Sequence, residues 1–274
     1  MPLLHAIVLG AVQGLSEFLP ISSSGHLVLV PWLFGWEELT RDPELNRTFD
    51  VALHMGTFVG AAAYFRRDLV VLAGAGLRSI RRRSVRCPDE RMAWLLLLSS
   101  VPAALAGALL DSVVEDQLSA EWLVGAMLIV FGLVLLWADR LPGVRGEASF
   151  GAREALLMGL AQSLALQPGV SRSGVTISMG RGLGFTREAA TRLSFLMSLP
   201  VIGGAGLYTG SDVLLEGGLP PGMGPAFAWG MVTSGLTGFI AVWGLLRLLR
   251  TGSFRPFVLY RVVLGLAVLS AATV

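Results

Sequence analysis

Residues 13–26 read QGLSEFLPISSSGH and place a carboxylate, a serine triplet and an imidazole in the middle of an apolar region. A second polar run, QPGVSRSG at residues 167–174, interrupts the second half of the chain at a matching place and includes an arginine. Polar and ionisable groups are costly to place inside lipid, so we expect them to have a function. Two such interruptions in two apolar halves predict one composite site.

The composition indicates the solvent in which the chain folds. Of its 274 residues, 54% are hydrophobic and 15% are charged, and the mean hydropathy is +0.69. A chain of this composition does not present an ordinary aqueous surface, so we predict a single membrane domain over residues 1–274. The net charge is +2. All 21 basic residues are arginines, and they cluster in a few loops. This clustering indicates membrane topology and not a nucleic-acid partner.

Six apolar segments are long enough to cross a hydrocarbon layer, which requires about 20 helical residues. They lie at residues 49–65, 92–110, 120–138, 188–209, 224–246 and 256–273. The polar runs split two further regions, 3–34 and 153–185, into shorter pieces. Irregular backbone survives at membrane depth only where protein or water satisfies its amides, so both regions are predicted to be re-entrant hairpins whose turns line a cavity. The predicted fold is all-α, with six transmembrane helices and two re-entrant helical hairpins.

The arginines also predict the orientation of the chain. Cytoplasmic loops of membrane proteins carry an excess of positive residues, and eight arginines flank or fill the loop between the first two spans. Alternation of the spans then places the arginines at 140–153 and 247–255 on the same side. The intervening acidic loops contain no arginine and fall outside, and both termini are expected to be external.

An internal repeat relates the two polar runs. Residues 7–26 align on residues 156–175 without gaps, at a shift of 149. The identical pairs are Gly10 with Gly159, Gln13 with Gln162, Leu15 with Leu164, Ser22 with Ser171, Ser24 with Ser173, and Gly25 with Gly174.

The repeat predicts how the two halves are arranged. Each half, roughly 1–140 and 150–274, is expected to hold one hairpin and three spans, and an odd number of crossings inverts the second copy. Hairpins of an inverted repeat enter from opposite faces and meet near the bilayer midplane. We therefore expect the serine turn of the first hairpin to lie beside the arginine of the second.

The first polar run carries groups for acid–base and nucleophilic chemistry. Ser22–Ser24 before an apolar helix is a common N-cap pattern, which explains one hydroxyl but not the others. His26 follows Ser23 by three residues, about one helical turn, so its imidazole is expected to exchange a proton with that hydroxyl or with a leaving group. Glu17 and Gln13, four residues apart, share a helix face. Three roles are open to them: binding a divalent cation, orienting His26, or hydrogen bonding to the turn amides.

Arg172 in the second run offers fixed donors to an anion. Its guanidinium lies between Ser171 and Ser173 in a glycine-rich turn, where neighbouring amides add further donors. The half-helix that follows Gly174 points its N-terminal amides at the same place, an arrangement that favours phosphate. The alternative is a structural ion pair between Arg172 and Glu17.

These two runs resemble the signatures of the undecaprenyl pyrophosphate phosphatases, the bacitracin resistance family. The resemblance rests on Gln13-x-x-x-Glu17 with PISSSGH at residues 20–26, and on PGVSRSGVT at residues 168–176. It implies an inverted repeat with two re-entrant hairpins. It also implies removal of the terminal phosphate from undecaprenyl pyrophosphate at the outer side of the bacterial inner membrane, which yields the monophosphate carrier used in cell-wall synthesis.

The resemblance also implies roles for the site residues. Ser23 would be the nucleophile, His26 its partner and Glu17 the family's acid. Pyrophosphate binding would fall to Arg172, Ser171, Ser173 and Thr176, and their place in the two runs adds Gln13, Ser22, Ser24, Gly169 and Gly174 as candidate substrate-binding residues.

A divalent cation, magnesium or calcium, is implied by the resemblance alone, with Glu17 as the candidate ligand. This chain has Gln13 where many relatives have glutamate, which weakens a two-carboxylate metal site. The expected partners are a prenyl pyrophosphate lipid and the membrane lipids. A homodimer is one open oligomeric state.

Several alternatives stay open at this point. Ser23 either attacks the outer phosphate to give a phosphoserine or only binds it while His26 activates water. A lipid transporter with the same phosphate site is a second candidate function, because broken helices at the midplane are also a transporter architecture. A type-2 phosphatidic acid phosphatase would need a histidine where this chain has Ser178. His54 either lines the cavity or caps its helix.

Overall fold

The protein is built from α-helices. A computed structural model describes residues 1–36, 43–117, 120–215 and 222–272, and no β-sheet is found within these ranges. The helices are α1 (Leu3–Phe18), α2 (Ser23–Phe34), α3 (Pro43–Tyr64), α4 (Arg66–Arg82), α5 (Pro88–Gln117), α6 (Glu121–Arg140), α7 (Ala152–Ser163), α8 (Arg172–Gly182), α9 (Arg187–Leu215), α10 (Gly224–Leu248) and α11 (Arg255–Ala271).

Four of the described helices are long and apolar enough to cross a membrane. They are Pro88–Leu109 within α5, Glu121–Arg140 (α6), Arg187–Tyr208 within α9, and Gly224–Leu248 (α10). The protein is therefore a multi-pass membrane protein. These helices coincide with four of the six predicted spans. The other two predicted spans fall on α3, whose first turns carry charged residues, and on α11, which has 17 residues.

The two polar runs interrupt helices, as the sequence predicts. The chain breaks between α1 and α2 at residues 19–22 and between α7 and α8 at residues 164–171. The four helices on either side of the breaks contain 16, 12, 12 and 11 residues. Each is shorter than the roughly 20 residues that a membrane-spanning helix requires.

Small residues bring α1 and α3 close to the backbone of α10. A Cβ atom on Gly14 of α1 would lie 2.3 Å from the Ser234 carbonyl oxygen, and one on Gly56 of α3 would lie 2.3 Å from the Met231 carbonyl oxygen. Only glycine permits such an approach of one backbone to another. The end of α1 is fixed as well, because the buried ring of Phe18 packs edge-on against Phe195 at 5.2 Å.

We expect Gly56→Ala to destabilise the protein by about 1–3 kcal/mol, because the new methyl group overlaps the backbone of α10 and forces the helices apart. The measurement is thermal unfolding of the purified protein in detergent. The matched control is Gly244→Ala, where a Cβ atom meets nothing within 4 Å. A melting temperature for Gly56→Ala equal to that of Gly244→Ala would show that α3 and α10 are not in this contact.

Candidate active site

Both interruptions restart a helix from the same unusual backbone conformation. Ser22 and Ser171 precede α2 and α8 with φ angles of 74° and 75°. Each hydroxyl accepts a hydrogen bond from the amide three residues later, that of Gly25 at 3.3 Å and that of Gly174 at 3.1 Å. A positive φ in a residue other than glycine costs of order 1–3 kcal/mol and is concentrated at functional sites. The repeat in the sequence is thus a repeat of turn geometry.

The two turns touch each other. The amide of Gly169 donates to the Ser22 hydroxyl at 3.1 Å, and the Ser173 hydroxyl donates to the Leu19 carbonyl oxygen at 3.1 Å. These contacts join residues about 150 positions apart in the chain. They confirm the prediction that the two polar runs converge.

Arg261 of α11 joins both turns to the rest of the bundle. Its side chain is fully buried. The guanidinium donates to the carbonyl oxygen of Pro20 at 3.2 Å in the first turn, and to those of Gly169 and Val170 at 2.9 and 3.0 Å in the second. It also donates to the Leu128 carbonyl oxygen of α6 at 3.0 Å. No carboxylate in the described part of the chain contacts Arg261. Its partners are backbone carbonyl groups, and three of them, those of Pro20, Gly169 and Val170, lie in the two helix breaks.

Glu17 is the centre of the polar contacts at the junction. Its Oε1 accepts a hydrogen bond from Arg172 at 2.9 Å, across the two hairpins. Its Oε2 accepts from the Ser23 hydroxyl at 2.6 Å and from the Gln13 amide at 3.1 Å. The Nε2 atom of His54 lies 3.5 Å from the same oxygen. The ion pair that the sequence offers as an alternative is present, and it directly adjoins the predicted nucleophile.

A cavity of about 300 Å³ opens beside this cluster. Its charged end is formed by Glu17, Ser23, His54 and Arg172, with Ser24, Gln162 and Ser171 next to them. Its walls are apolar and come from α3, α5, α9 and the turn after α7: Val51, Ala103, Ala165, Leu166, Val201, Ile202, Ala205 and Gly206. A pocket with one polar end and apolar walls suits an amphiphilic ligand with a charged headgroup.

His26 is not paired with Ser23, in contrast to the expectation from the sequence. Its Nδ1 lies 2.6 Å from the Ser22 carbonyl oxygen, so this nitrogen is the donor, and its Nε2 lies 2.7 Å from the Tyr260 hydroxyl. Both ring nitrogens are therefore engaged, and His26 does not line the cavity. The reason is geometric: in α2 the imidazole faces back to the start of its own helix and across to α11, while the Ser23 hydroxyl faces α1.

The other predicted residues fall into two groups. Ser24 and Ser171 line the cavity. The remaining residues do not line the cavity. The hydroxyl oxygens of Thr176 and Ser194 form a hydrogen bond of 2.6 Å, and the Gln13 amide donates to Glu17. Also in this second group are Ser22, Ser173, Gly169 and Gly174, whose contacts described above hold the two turns.

Two residues that line the cavity, His54 and Gln162, were not among the predicted site residues. His54 lines the cavity and contacts Glu17, which favours the first of the two roles considered for it; its Nδ1 also lies 2.7 Å from the Asp50 carbonyl oxygen. Gln162 has both amide atoms buried without a hydrogen-bond partner in the described structure. The signal for Gln162 was its alignment with Gln13 in the repeat.

The residues at the junction are a poor fit to a cation site made by protein alone. Magnesium and calcium take six or more oxygen ligands, and such sites in proteins usually include carboxylates. Here Glu17 is the one carboxylate of the cluster, and both of its oxygens already accept hydrogen bonds. No group of three His, Cys, Asp or Glu side chains suited to a metal occurs among the described residues.

The fold and the site define a multi-pass helical membrane protein in which two interrupted helices build one charged cavity. Residues 6–267 match the family described as bacitracin resistance protein BacA. The chain is 48% identical to the undecaprenyl-diphosphatase of Pelobacter propionicus over 272 residues, which cover 98% of this chain and 97% of that protein. It belongs to the BacA family, as its motifs indicate.

Other undecaprenyl-diphosphatases are similar to nearly the same extent. The chain is 48% identical over 273 residues to that of Pelotomaculum thermopropionicum, covering 99% of this chain and 97% of the relative. It is 46% identical over 273 residues to that of a Nocardioides species, covering 97% and 95%. The names of these relatives favour a phosphatase over a transporter.

We expect Arg261→Lys to destabilise the protein by about 2–4 kcal/mol, because one ammonium group cannot reach the carbonyl groups of both turns and leaves some of them unsatisfied. Thermal unfolding in detergent measures the effect. Arg247→Lys is the control, since Arg247 is exposed on α10 and contacts the Trp243 ring. Equal stability of the two variants would contradict the bridging role of Arg261.

Proposed function

We propose that this protein hydrolyses undecaprenyl diphosphate to undecaprenyl phosphate and inorganic phosphate. The product is the lipid carrier for peptidoglycan and other cell-wall synthesis, and the family name connects this reaction with bacitracin resistance. The proposal depends mainly on the cluster of Ser23, Glu17 and Arg172 at the charged end of an otherwise apolar cavity. The names and coverage of the relatives support the same reaction.

Arg172 is the proposed clamp for the diphosphate. Its Nε atom is buried and has no hydrogen-bond partner in the described structure, and the same is true of the Gln162 side-chain amide in the same cavity. Free buried donors are costly unless a ligand satisfies them, and phosphate oxygens are suitable acceptors. The hydroxyls of Ser24 and Ser171 and the amides at the start of α8 add further donors. The prenyl chain would follow the apolar walls toward lipid.

Ser23 is the proposed nucleophile, and Glu17 is the proposed base. The Ser23 hydroxyl already donates to Glu17 Oε2 at 2.6 Å, which is the geometry of a nucleophile beside its base. When Arg172 turns from Glu17 to the phosphate, the carboxylate is released to accept the hydroxyl proton. The serine oxygen bonds to the terminal phosphorus as the bond to the bridging oxygen breaks, and undecaprenyl phosphate leaves.

The second half of the reaction restores the enzyme. Glu17 first passes the proton it took from Ser23 to the departing undecaprenyl phosphate. Water then attacks the phosphoserine and gives a proton to Glu17, and inorganic phosphate leaves as Glu17 returns that proton to the Ser23 oxygen. Phosphoryl transfer requires charge stabilisation more than covalent assistance, so Arg172 is the main electrostatic contribution of the protein. No step is assigned to His26, whose nitrogens are engaged elsewhere. Dependence on magnesium or calcium stays a prediction from the family resemblance, and no step is derived through a cation.

We also propose the six-span topology with two re-entrant hairpins. Under this topology α3 and α11 cross the membrane along with the four long apolar helices, and the arginine-rich α4 lies on the cytoplasmic side. The cavity residues of α9, from Val201 to Gly206, lie away from the end of that helix where Arg192 pairs with Asp68 of α4. This supports a site open to the outer side of the bacterial inner membrane. A homodimer stays an untested expectation.

We expect Ser23→Ala to lower phosphate release by at least about 10³-fold, because the nucleophile is lost. Arg172→Gln should lower it by about 10²-fold or more, because a donor to the transferring phosphoryl group is lost. The assay measures inorganic phosphate released from a prenyl diphosphate by purified protein in detergent. Arg153→Gln, an exposed arginine on α7, is the matched control and should match wild type.

The result that would contradict the function is the absence of phosphate release by the folded wild-type protein. The result that would contradict the mechanism is a phosphoenzyme, trapped by rapid acid quench, that persists in Ser23→Ala. Direct attack by water predicts no phosphoenzyme in either protein, so the trap distinguishes the two mechanisms that the sequence leaves open.

His54 provides a separate test of which histidine belongs to the site. We expect His54→Ala to lower the turnover number by about 10-fold or more, because a neighbour that orients Glu17 is lost. Tyr260→Phe, which removes the hydroxyl that contacts His26, should change turnover by less than His54→Ala does. A larger loss of turnover in Tyr260→Phe than in His54→Ala, measured in steady-state assays, would indicate that His26 acts in the mechanism.

A further inference from the structure

A second charged pocket lies at the end of the bundle opposite the proposed active site. Two adjoining cavities, of about 270 and 480 Å³, share Asp139, Arg140 and Arg187 as lining residues. They lie where α6 ends, α9 begins and α10 turns into α11. No residue of the phosphatase mechanism lines either cavity.

The pocket has more positive charge than its carboxylates neutralise. Five arginines and two acidic residues line the two cavities together. Asp139 is already paired, because it accepts from Arg187 at 2.5 Å and from the Phe254 amide at 3.3 Å. Arg181 donates to the carbonyl oxygens of Leu141 and Phe185. These contacts leave the guanidinium groups of other lining residues available to a ligand.

The available cations are Arg140, Arg250 and Arg255. None of the three has a hydrogen bond or ion pair within the described structure, and all three are exposed. Glu188 is the one other carboxylate at the pocket. Three guanidinium groups against one carboxylate favour an anion, and arginine binds phosphate oxygens through paired donors.

The residues around this pocket favour a lipid headgroup as the source of the phosphate. Trp243 on α10 is about half exposed, with the Arg247 guanidinium 5.7 Å from its ring centroid, and the neighbouring Leu248 is 43% exposed. Aromatic and arginine side chains of this kind mark the interface between hydrocarbon and headgroups. A phosphate held in the pocket therefore lies next to an apolar surface that can receive acyl chains.

We propose that this arginine pocket binds the headgroup of an anionic phospholipid at the cytoplasmic face. Basic pockets between transmembrane helices on the cytoplasmic side are suited to such headgroups. Arg140 and Arg255 line the same cavity from α6 and α11 and hold the phosphate, while Arg250 adds charge from the adjoining cavity. The site is independent of the diphosphate site and makes no demand on the phosphatase reaction.

The test is a lipid titration by native mass spectrometry on the full-length protein in neutral detergent. Wild type should bind phosphatidylglycerol at least about 30-fold more tightly than phosphatidylcholine of the same chains. The double variant Arg140→Gln with Arg255→Gln should bind phosphatidylglycerol about 30-fold more weakly, with phosphatidylcholine binding unchanged. The charge-retaining Lys double variant should keep the preference for phosphatidylglycerol.

Arg81→Gln with Arg82→Gln is the matched control, because it removes the same charge from exposed positions on α4. Wild-type lipid binding in this control, with loss only in the pocket variant, supports the proposal. Equal loss in both variants would overturn it in favour of nonspecific charge attraction. Displacement of phosphatidylglycerol by millimolar inorganic phosphate would assign the pocket to free phosphate and overturn the lipid assignment. Phosphate release equal to that of wild type shows that each variant is folded.

Discussion

The constraint on which this structure depends is the satisfaction of backbone groups where two helices break inside an apolar bundle. An unpaired carbonyl or amide in such surroundings costs as much as a lost hydrogen bond. The carbonyl groups of both turns converge on the buried Arg261, and the amides at the new helix starts are capped by Ser22 and Ser171. Because one guanidinium serves both turns, the two breaks are held together, and the active-site cluster is assembled where they meet.

The repeat explains why the site is both symmetric and asymmetric. The shift of 149 that aligns Ser22 with Ser171 also aligns Ser23 with Arg172, so the proposed nucleophile and the phosphate clamp are equivalent positions of two copies. Both are the first residues of their half-helices. Glu17 corresponds to Leu166, so one copy carries the base and the other lines the apolar wall. One turn geometry thus supplies a nucleophile in one hairpin and a cation in the other.

Much of this arrangement follows from the sequence. Composition indicated the membrane, the polar runs marked the helix breaks, and the repeat predicted that the turns meet. The pairing of Ser23 was not accessible, because spacing along the chain favoured His26 while Glu17, six residues earlier, reaches the hydroxyl only once the chain has turned back. Arg261 was missed for a related reason: it lies in an apolar helix about 90 residues beyond the nearer turn, and its partners are carbonyl groups that leave no mark on the sequence.

The most direct test is an experimental structure with a non-hydrolysable prenyl diphosphate bound. We expect the terminal phosphorus next to the Ser23 hydroxyl, with Arg172 turned from Glu17 to the phosphate and Arg261 still bonded to both turns. A diphosphate bound away from Ser23 and Arg172, or turns that separate when Arg261 remains in place, would contradict this expectation.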